Sequence, residues 1–115
     1  MKMWMEPPTI YLYRDAVDFR KSINGLVMIV EQELGLSPFA DALYVFCNRE
    51  RDKLKLVYWD KTGFALWYKR LEQDQFKWPR QHPGSVMTLS SAQWQWLLSG
   101  YDIVGHQPLR FTSTG

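Results

Sequence analysis

A chain of 115 residues, 46% of them hydrophobic and 23% charged, has the length and composition of one globular domain. Its single cysteine excludes an internal disulfide bond, and its two histidines leave too few ligands for a zinc-type cluster. The net charge of +2 indicates no partner by itself, but residues 49–80 contain nine basic and five acidic residues. The basic charge is therefore concentrated in one stretch of the chain.

The N-terminus has no apolar signal core, and the longest aliphatic run, residues 26–30, is far too short to span a bilayer. We therefore expect a protein of a reducing cytoplasm that has no membrane partner.

The first half of the chain predicts two strands separated by a helix. Residues 9–14 follow two prolines and predict the first strand. Asp15 is predicted to cap a long helix, because apolar residues recur at helical spacing from Phe19 until Gly35, which is a natural stop. Residues 43–47 are apolar on both faces, which predicts a central strand.

The second half predicts a hairpin, a last strand and a short helix. Residues 53–59 and 64–71 nearly alternate in polarity around a turn signal, as the two strands of a hairpin do. Residues 76–79 predict a short last strand that ends at a proline. The final helix is predicted to be capped near Ser90 and to stop at Gly100.

These elements predict an α+β fold. It consists of an antiparallel β-meander of about four to five strands, one long helix packed on the meander and a short C-terminal helix. Residues 1–115 are expected to form a single domain. Within it, we expect the N-terminal extension (residues 1–8) and the tail (residues 104–115) to be loosely ordered.

The loop of the hairpin decides which residues share a face. We predict a three-residue loop of Lys61, Thr62 and Gly63, with Gly63 left-handed in a bulge and Asp60 opposite Phe64. The apolar face then holds Leu54, Leu56, Tyr58, Phe64, Leu66 and Tyr68. The second face then holds Lys53, Lys55, Val57, Trp59, Ala65, Trp67 and Lys69.

A four-residue loop would give a different distribution, with Lys53 and Lys55 beside Phe64 and Leu66. Burial decides between such registers, because a shift of one residue exchanges the two faces of a strand. We favour the bulged loop since it gathers the apolar residues on one side.

The second face suits nucleic acid, because cations neutralise phosphates and exposed rings stack on bases. The candidate nucleic-acid contacts are Arg49, Arg51, Lys53, Lys55, Trp59, Trp67, Lys69, Arg70 and Lys77. The alternative is a solvated lysine face whose tryptophans are covered by the C-terminal helix.

No catalytic residue, metal site or cofactor is predicted. Helix capping and first-turn charge explain Asp15 and Asp18 better than catalysis does, so a nuclease that uses them ranks third among the hypotheses. Cys47 lies in an apolar strand and is expected to be an inert buried thiol.

Three stretches make up more than half of the chain: DFRKSINGL, then PFADALYVFCNRERDKLKLVYWDKTGFALWYKRLEQDQFKWP, and finally LSSAQWQWLLSGYDI. With them the sequence resembles the accessory proteins of insertion sequence 66-type bacterial transposons. These are the products of the second open reading frame, often labelled TnpB. Members of the family often carry a basic residue where Glu50 stands and near Gln73 and Gln75. The acidic and neutral residues here weaken the argument for phosphate binding.

The resemblance implies a bacterial cytoplasmic protein that acts alongside a separate transposase, which carries the catalytic acids. The predicted function is a non-catalytic accessory factor for DNA transposition that contacts transposon DNA through the basic and aromatic hairpin face. The alternative is a protein–protein interaction module that docks on the transposase without binding DNA itself. The oligomeric state stays open.

Overall fold

The computed structural model describes residues 8–100, which form a five-stranded β-sheet and two helices. The elements are β1 Thr9–Tyr13, α1 Ile23–Gln32, β2 Ala42–Cys47, β3 Lys53–Asp60, β4 Gly63–Arg70, β5 Val86–Leu89 and α2 Ser91–Leu98. The predicted α+β class is confirmed. The two segments predicted to be loosely ordered lie outside the described residues, apart from Pro8.

The sheet is mixed, with the strand order β4-β3-β2-β1-β5, so the predicted purely antiparallel meander is wrong. β1 and β2 are parallel, with Thr9 opposite Ala42. Their connection contains α1, which returns the chain to the end of the sheet where β1 begins, as parallel pairing requires. β5, which the sequence did not predict, pairs antiparallel with the other edge of β1.

Helix α1 is shorter than predicted, because it begins at Ile23 with Ser22 as the N-cap residue. Asp15 does not cap it and instead forms an ion pair with Arg14. The segment before the helix is held otherwise: the N–H of Val17 donates to the carbonyl oxygen of Cys47 at 2.9 Å. A helix that started at Asp15 could not place Val17 against the end of β2.

Apolar side chains cover both faces of the sheet. On one face, which we call the α1 core, α1 contributes Leu26 and Val30. On the other face, the α2 core, α2 contributes Trp94 and Leu97. All six residues of β2 are buried and alternate between the two cores, which confirms the prediction of a central strand.

The segment between β4 and β5 forms no strand, contrary to the prediction for residues 76–79. Phe76 and Trp78 are nevertheless buried in the α2 core, and the indole N–H of Trp78 donates to the carbonyl oxygen of Tyr13 at 3.0 Å. Side-chain burial therefore fixes this segment without strand pairing.

The predicted cap of the last helix is confirmed. Ser90 Oγ accepts a hydrogen bond from the N–H of Gln93 at 3.1 Å, and the Gln93 side chain accepts one from the N–H of Ser90 at 2.9 Å. This reciprocal capping box satisfies two backbone donors at the start of α2. Gly100 follows the helix with a left-handed φ of 86°.

Candidate functional site

The hairpin of β3 and β4 has a two-residue loop. Asp60 lies opposite Gly63 and Trp59 opposite Phe64, while Lys61 adopts a left-handed φ of 57° in the loop. The predicted bulged loop is therefore wrong by one residue in register, and Gly63 is not left-handed. Packing of the partly buried Trp67 ring against the α2 core explains the observed register, because a one-residue slip would turn that ring to the opposite face.

The corrected register divides the predicted basic and aromatic face. The side facing the α1 core carries Lys53, Lys55, Val57, Trp59, Phe64, Leu66, Tyr68 and Arg70. The side facing the α2 core carries Leu54, Leu56, Tyr58, Ala65, Trp67 and Lys69. This is the distribution that the four-residue loop would have given. The lysines of β3 therefore lie on the opposite side of the sheet from Trp67 and Lys69.

Lys55 is buried and connects β3 to the segment before α1. Its ammonium group donates to the carbonyl oxygens of Phe19 at 2.9 Å and Lys21 at 3.2 Å, and it lies 4.8 Å from the centre of the Phe19 ring. Its side-chain donors are thus directed into the protein. Lys53 on the same side is half-buried, with Nζ 3.4 Å from the carboxylate of Asp52.

Helix α2 covers the residues on the other side. Lys69 Nζ donates to the carbonyl oxygen of Leu98 at 3.1 Å, at the end of that helix. The Trp67 and Trp94 rings are in edge contact with centroids 6.3 Å apart. Trp67 is thus packed against the C-terminal helix, as the alternative interpretation had it, but that interpretation placed Trp59 there too and left the lysines solvated, whereas Lys69 is hydrogen-bonded.

Trp59 and Arg70 lie near opposite ends of the hairpin. The Trp59 ring contacts those of Phe39 and Phe64, with centroids 5.0 and 5.1 Å away. The exposed guanidinium of Arg70 is paired with Glu72 at 2.7 Å.

The structure brings Arg49, Arg51 and Lys77 together at one end of the sheet with two further arginines. A cavity of about 290 Å³ is lined by Arg51, Gln75, Phe76, Lys77, Trp78 and Arg80. A neighbouring recess of about 40 Å³ is lined by Arg14, Ala16, Cys47, Asn48, Arg49, Arg51, Trp78 and Arg80. We call the five cationic residues of these linings, Arg14, Arg49, Arg51, Lys77 and Arg80, the basic end. Neither lining contains an aspartate or a glutamate.

Asn48 organises the turn that carries Arg49 and Arg51. This buried amide accepts from the N–H of Lys53 at 3.1 Å and donates to Asp52 at 2.7 Å and to Glu50 at 3.3 Å. The hydrogen bond from Asn48, followed by one from Lys53, lowers the pKa of the Asp52 carboxyl group. Asn48 therefore holds the side chains of Glu50 and Asp52, which are the acids nearest to Arg49 and Arg51 in the sequence.

The segment after β4 is attached to this turn by two hydrogen bonds. The N–H of Phe76 donates to the carbonyl oxygen of Arg51 at 2.7 Å. The side-chain amide of Gln75 donates to the backbone carbonyl oxygen of Glu50, also at 2.7 Å. Arg51 itself has a left-handed φ of 60°. These contacts fix the backbone on both sides of the cavity.

The cations of the basic end differ in their partners. Arg14 is engaged, because its guanidinium pairs with Asp15 at 3.0 Å and donates to the carbonyl oxygens of His82 and Pro83. The ion pairs among residues 8–100 include none of the other four, Arg49, Arg51, Lys77 and Arg80. Arg51, Lys77 and Arg80 line one cavity, whereas Arg49 lines the neighbouring recess and also a separate cavity of about 460 Å³ whose lining includes Asp18 and Glu50.

Sequence reasoning missed Arg14 and Arg80 as members of the candidate site. Arg14 directly follows β1 and Arg49 closely follows β2. Parallel pairing of these strands brings both arginines to the same end of the sheet. The run of basic residues from 49 to 80 was the available signal for Arg80, but nothing local to Arg14 indicates the parallel pairing.

The residues considered for catalysis have structural partners. The side-chain hydrogen bond from Arg20 lowers the pKa of Asp18 to about 2. Burial raises the pKa of the Cys47 thiol to about 12, so this thiol stays protonated and inert at neutral pH. Residues 8–100 contain no group of three or more His, Cys, Asp or Glu side chains that could hold a metal ion. No helix in that range is both long and apolar enough to cross a membrane.

The comparisons with known proteins agree with the resemblance that the motifs indicate. A family described as IS66 Orf2 like protein matches residues 8–108. Two curated relatives come from Sinorhizobium fredii (strain NBRC 101917 / NGR234). The uncharacterized protein y4jC is 35% identical over 86 residues, which are 75% of this chain and 73% of that protein. The uncharacterized protein y4hO is 33% identical over 93 residues, which are 81% and 80% of the two chains. No solved structure gives a significant match.

Proposed function

Because the chain belongs to the IS66 Orf2-like family, we propose that it is a non-catalytic accessory factor for DNA transposition that contacts DNA through the basic end. Family membership supports the accessory role in transposition. The DNA contact and its location are our proposal. They replace the hairpin face, whose lysines and tryptophans lie on two sides of the sheet.

The observation that carries the proposal is the convergence of four cations that form no ion pair within residues 8–100. Arg49, Arg51, Lys77 and Arg80 line two adjoining cavities, and these linings contain no carboxylate. Cations gathered in this way repel one another, and a polyanion that binds there relieves the repulsion. Arginine is well suited to phosphate, because its planar guanidinium can donate two parallel hydrogen bonds to phosphate oxygens.

The contact is expected to be with the DNA backbone rather than with base edges. Phosphate contacts position a protein on a duplex and carry no direct sequence information. Four phosphate contacts give a slope of about −3.6 for the logarithm of the association constant against the logarithm of the salt concentration. We therefore expect moderate, salt-sensitive binding that differs little between duplex sequences.

Fluorescence anisotropy of a labelled terminal-repeat duplex, titrated with the pure protein at several salt concentrations, tests the proposal. Substitution of Arg51→Glu together with Arg80→Glu should weaken binding by about tenfold or more, as expected for the loss of two phosphate contacts. Lys61→Glu provides the matched control, because Lys61 is exposed in the β3–β4 loop at the opposite end of β3. Equal affinities of the wild type and the double variant would contradict the proposal.

The second candidate function is docking on the transposase without DNA binding, and exposed apolar side chains favour it. Phe39 is 57% exposed, Tyr68 46% and Leu66 38%, and all three lie on the α1 side of the sheet or beside it. Aromatic anchors are typical of protein contacts. If no duplex binds at low salt but the transposase is captured with little dependence on salt, this second function is the correct one.

A further inference from the structure

β4 forms an edge of the sheet and has unusual properties for an edge strand. It is eight residues long, and β3 is its only strand partner within residues 8–100. The other edge strand, β5, has four residues. Long edge strands expose a row of unpaired backbone groups to which another strand can add, and proteins usually protect them.

The register identifies the backbone groups that point away from the sheet. Asp60 and Gly63 close the two-residue loop as a directly opposed pair, so they form a hydrogen-bonded pair. Because such pairs alternate along an antiparallel ladder, Ala65, Trp67 and Lys69 also direct their backbone groups toward β3. The N–H and C=O groups of Phe64, Leu66 and Tyr68 therefore point outward.

The side chains of this edge also lack the usual protection. From Gly63 to Tyr68 the strand contains no charged residue and no proline, and Leu66 and Tyr68 are exposed. The two cations that follow have partners within the chain. Lys69 Nζ donates to the carbonyl oxygen of Leu98, and Arg70 is paired with Glu72. Both cations are therefore already engaged within their own chain.

We propose that a second copy of this chain pairs antiparallel along β4, about a two-fold axis at Leu66, and joins the two five-stranded sheets into one. A two-fold axis perpendicular to the sheet brings the same edge of each copy together, as closed dimers require. In this register Leu66 lies opposite Leu66 of the second copy, and Phe64 lies opposite Tyr68. Three apolar side chains from each copy then form one continuous strip on the α1 side.

The sizes and charges of the side chains that would face each other favour a second copy of this chain as the partner of β4. On the α2 side the small residue Ala65 lies opposite Trp67, and Gly63 lies opposite Lys69. Like charges are never directly opposite within the paired strands, where they would be destabilising. At each end, Thr62 of one copy lies opposite Arg70 of the other. The edge is thus complementary to itself in shape, and it pairs without opposing like charges.

The interface is small, because it consists of one strand edge and the adjoining apolar strip. Interfaces that bury less than about 1,200 Å² are typical of weak or transient complexes. We therefore expect the wild-type protein to change from monomer to dimer as its concentration rises, which sedimentation velocity over a hundredfold concentration range would detect. The variant Leu66→Lys places two lysines opposite each other on the axis and should stay monomeric over the same range. Met28→Lys is the matched control, because Met28 is 50% exposed on α1 and should leave the dimer intact.

Cysteine cross-linking tests the register even if Leu66→Lys does not fold. Hydrogen-bonded residues in an antiparallel pair have Cα atoms about 5.5 Å apart, within the range that a disulfide bond spans. Leu66→Cys should therefore give a covalent dimer on mild oxidation, whereas Met28→Cys should not. Native Cys47 is buried and will not compete.

A wild type that stays monomeric at every concentration, or a Leu66→Cys variant without cross-linked dimer, would overturn the proposal. So would a Leu66→Lys variant that dimerises like the wild type.

Discussion

The N–H of Phe76 donates a 2.7 Å hydrogen bond to the carbonyl oxygen of Arg51, which attaches the segment after β4 to the β2–β3 turn. The two sides of the basic end come from these two parts of the chain. The turn carries Arg49 and Arg51, and the segment carries Lys77 and Arg80. The arrangement of the four cations therefore depends on how the turn and the segment are held.

Asn48 is predicted to hold the turn. Asn48→Ala removes the side-chain acceptor of the Lys53 N–H and the amide that binds Asp52 and Glu50. Since the site is buried, we expect the free energy of unfolding to fall by about 1–3 kcal/mol, measured by urea denaturation. The control is Asn24→Ala on the exposed side of α1, which should change stability by less than about 0.5 kcal/mol. Equal effects of the two substitutions would mean that Asn48 does not organise the turn.

Lys55 is predicted to act in stability rather than in DNA binding. Lys55→Met keeps the apolar stem but leaves the carbonyl oxygens of Phe19 and Lys21 without their donor. The free energy of unfolding should fall by about 1–3 kcal/mol. Lys53→Met, two residues away on the same side of β3, should cost less than about 1 kcal/mol because its ion pair is partly exposed. DNA affinity that falls strongly in Lys55→Met while stability stays the same would contradict this assignment.

The ion pair of Asp18 with Arg20 predicts an acid-dependent loss of stability. The folded-state pKa of Asp18 is about 2, below its ordinary value of 3.8, so the pair stabilises the folded state above about pH 4. This contribution is lost as the pH falls from about 4 to about 2. The stability difference between the wild type and Asp18→Asn should therefore shrink over that window in urea denaturation at stepped pH values. Arg20→Gln should reproduce part of this change, because the backbone N–H of residue 20 still donates to Asp18. Adding Asp18→Asn to Arg20→Gln should change the stability less than Asp18→Asn changes that of the wild type, and an additive double variant would show that the two side chains act independently.

The sequence predicted those features that depend on local signals. The central strand β2 follows from a run of residues that are apolar on both faces. The cap at Ser90 follows from a serine with a glutamine three residues later. In both cases the residues that determine the structure are neighbours in the chain.

The features that the sequence failed to predict depend on contacts between distant residues. Apolar spacing extended α1 back to Phe19, but Phe19 instead places its carbonyl oxygen and ring on Lys55. The hairpin register depends on whether Trp67 is covered, and the cover comes from Trp94 in α2. Periodicity indicates that a residue is buried without indicating which element buries it.

The same reasoning explains the change in the candidate site. The basic and aromatic pattern of residues 53–69 suggested one face, which the observed register divides between the two sides of the sheet. The basic end instead combines residues from the ends of β1 and β2 with the segment after β4, and parallel pairing brings the ends of β1 and β2 together.

The most direct test of DNA binding at the basic end is the salt dependence of duplex affinity for two charge-neutralising double variants. Arg51→Gln with Arg80→Gln removes two cations of the basic end, whereas Lys53→Gln with Lys69→Gln removes two lysines of the hairpin. Each lost phosphate contact lowers the steepness of the salt slope by about 0.9. We predict a slope about 1.8 less steep for the first variant and an unchanged slope for the second. An unchanged slope for the arginine variant, or a loss confined to the lysine variant, would contradict the account.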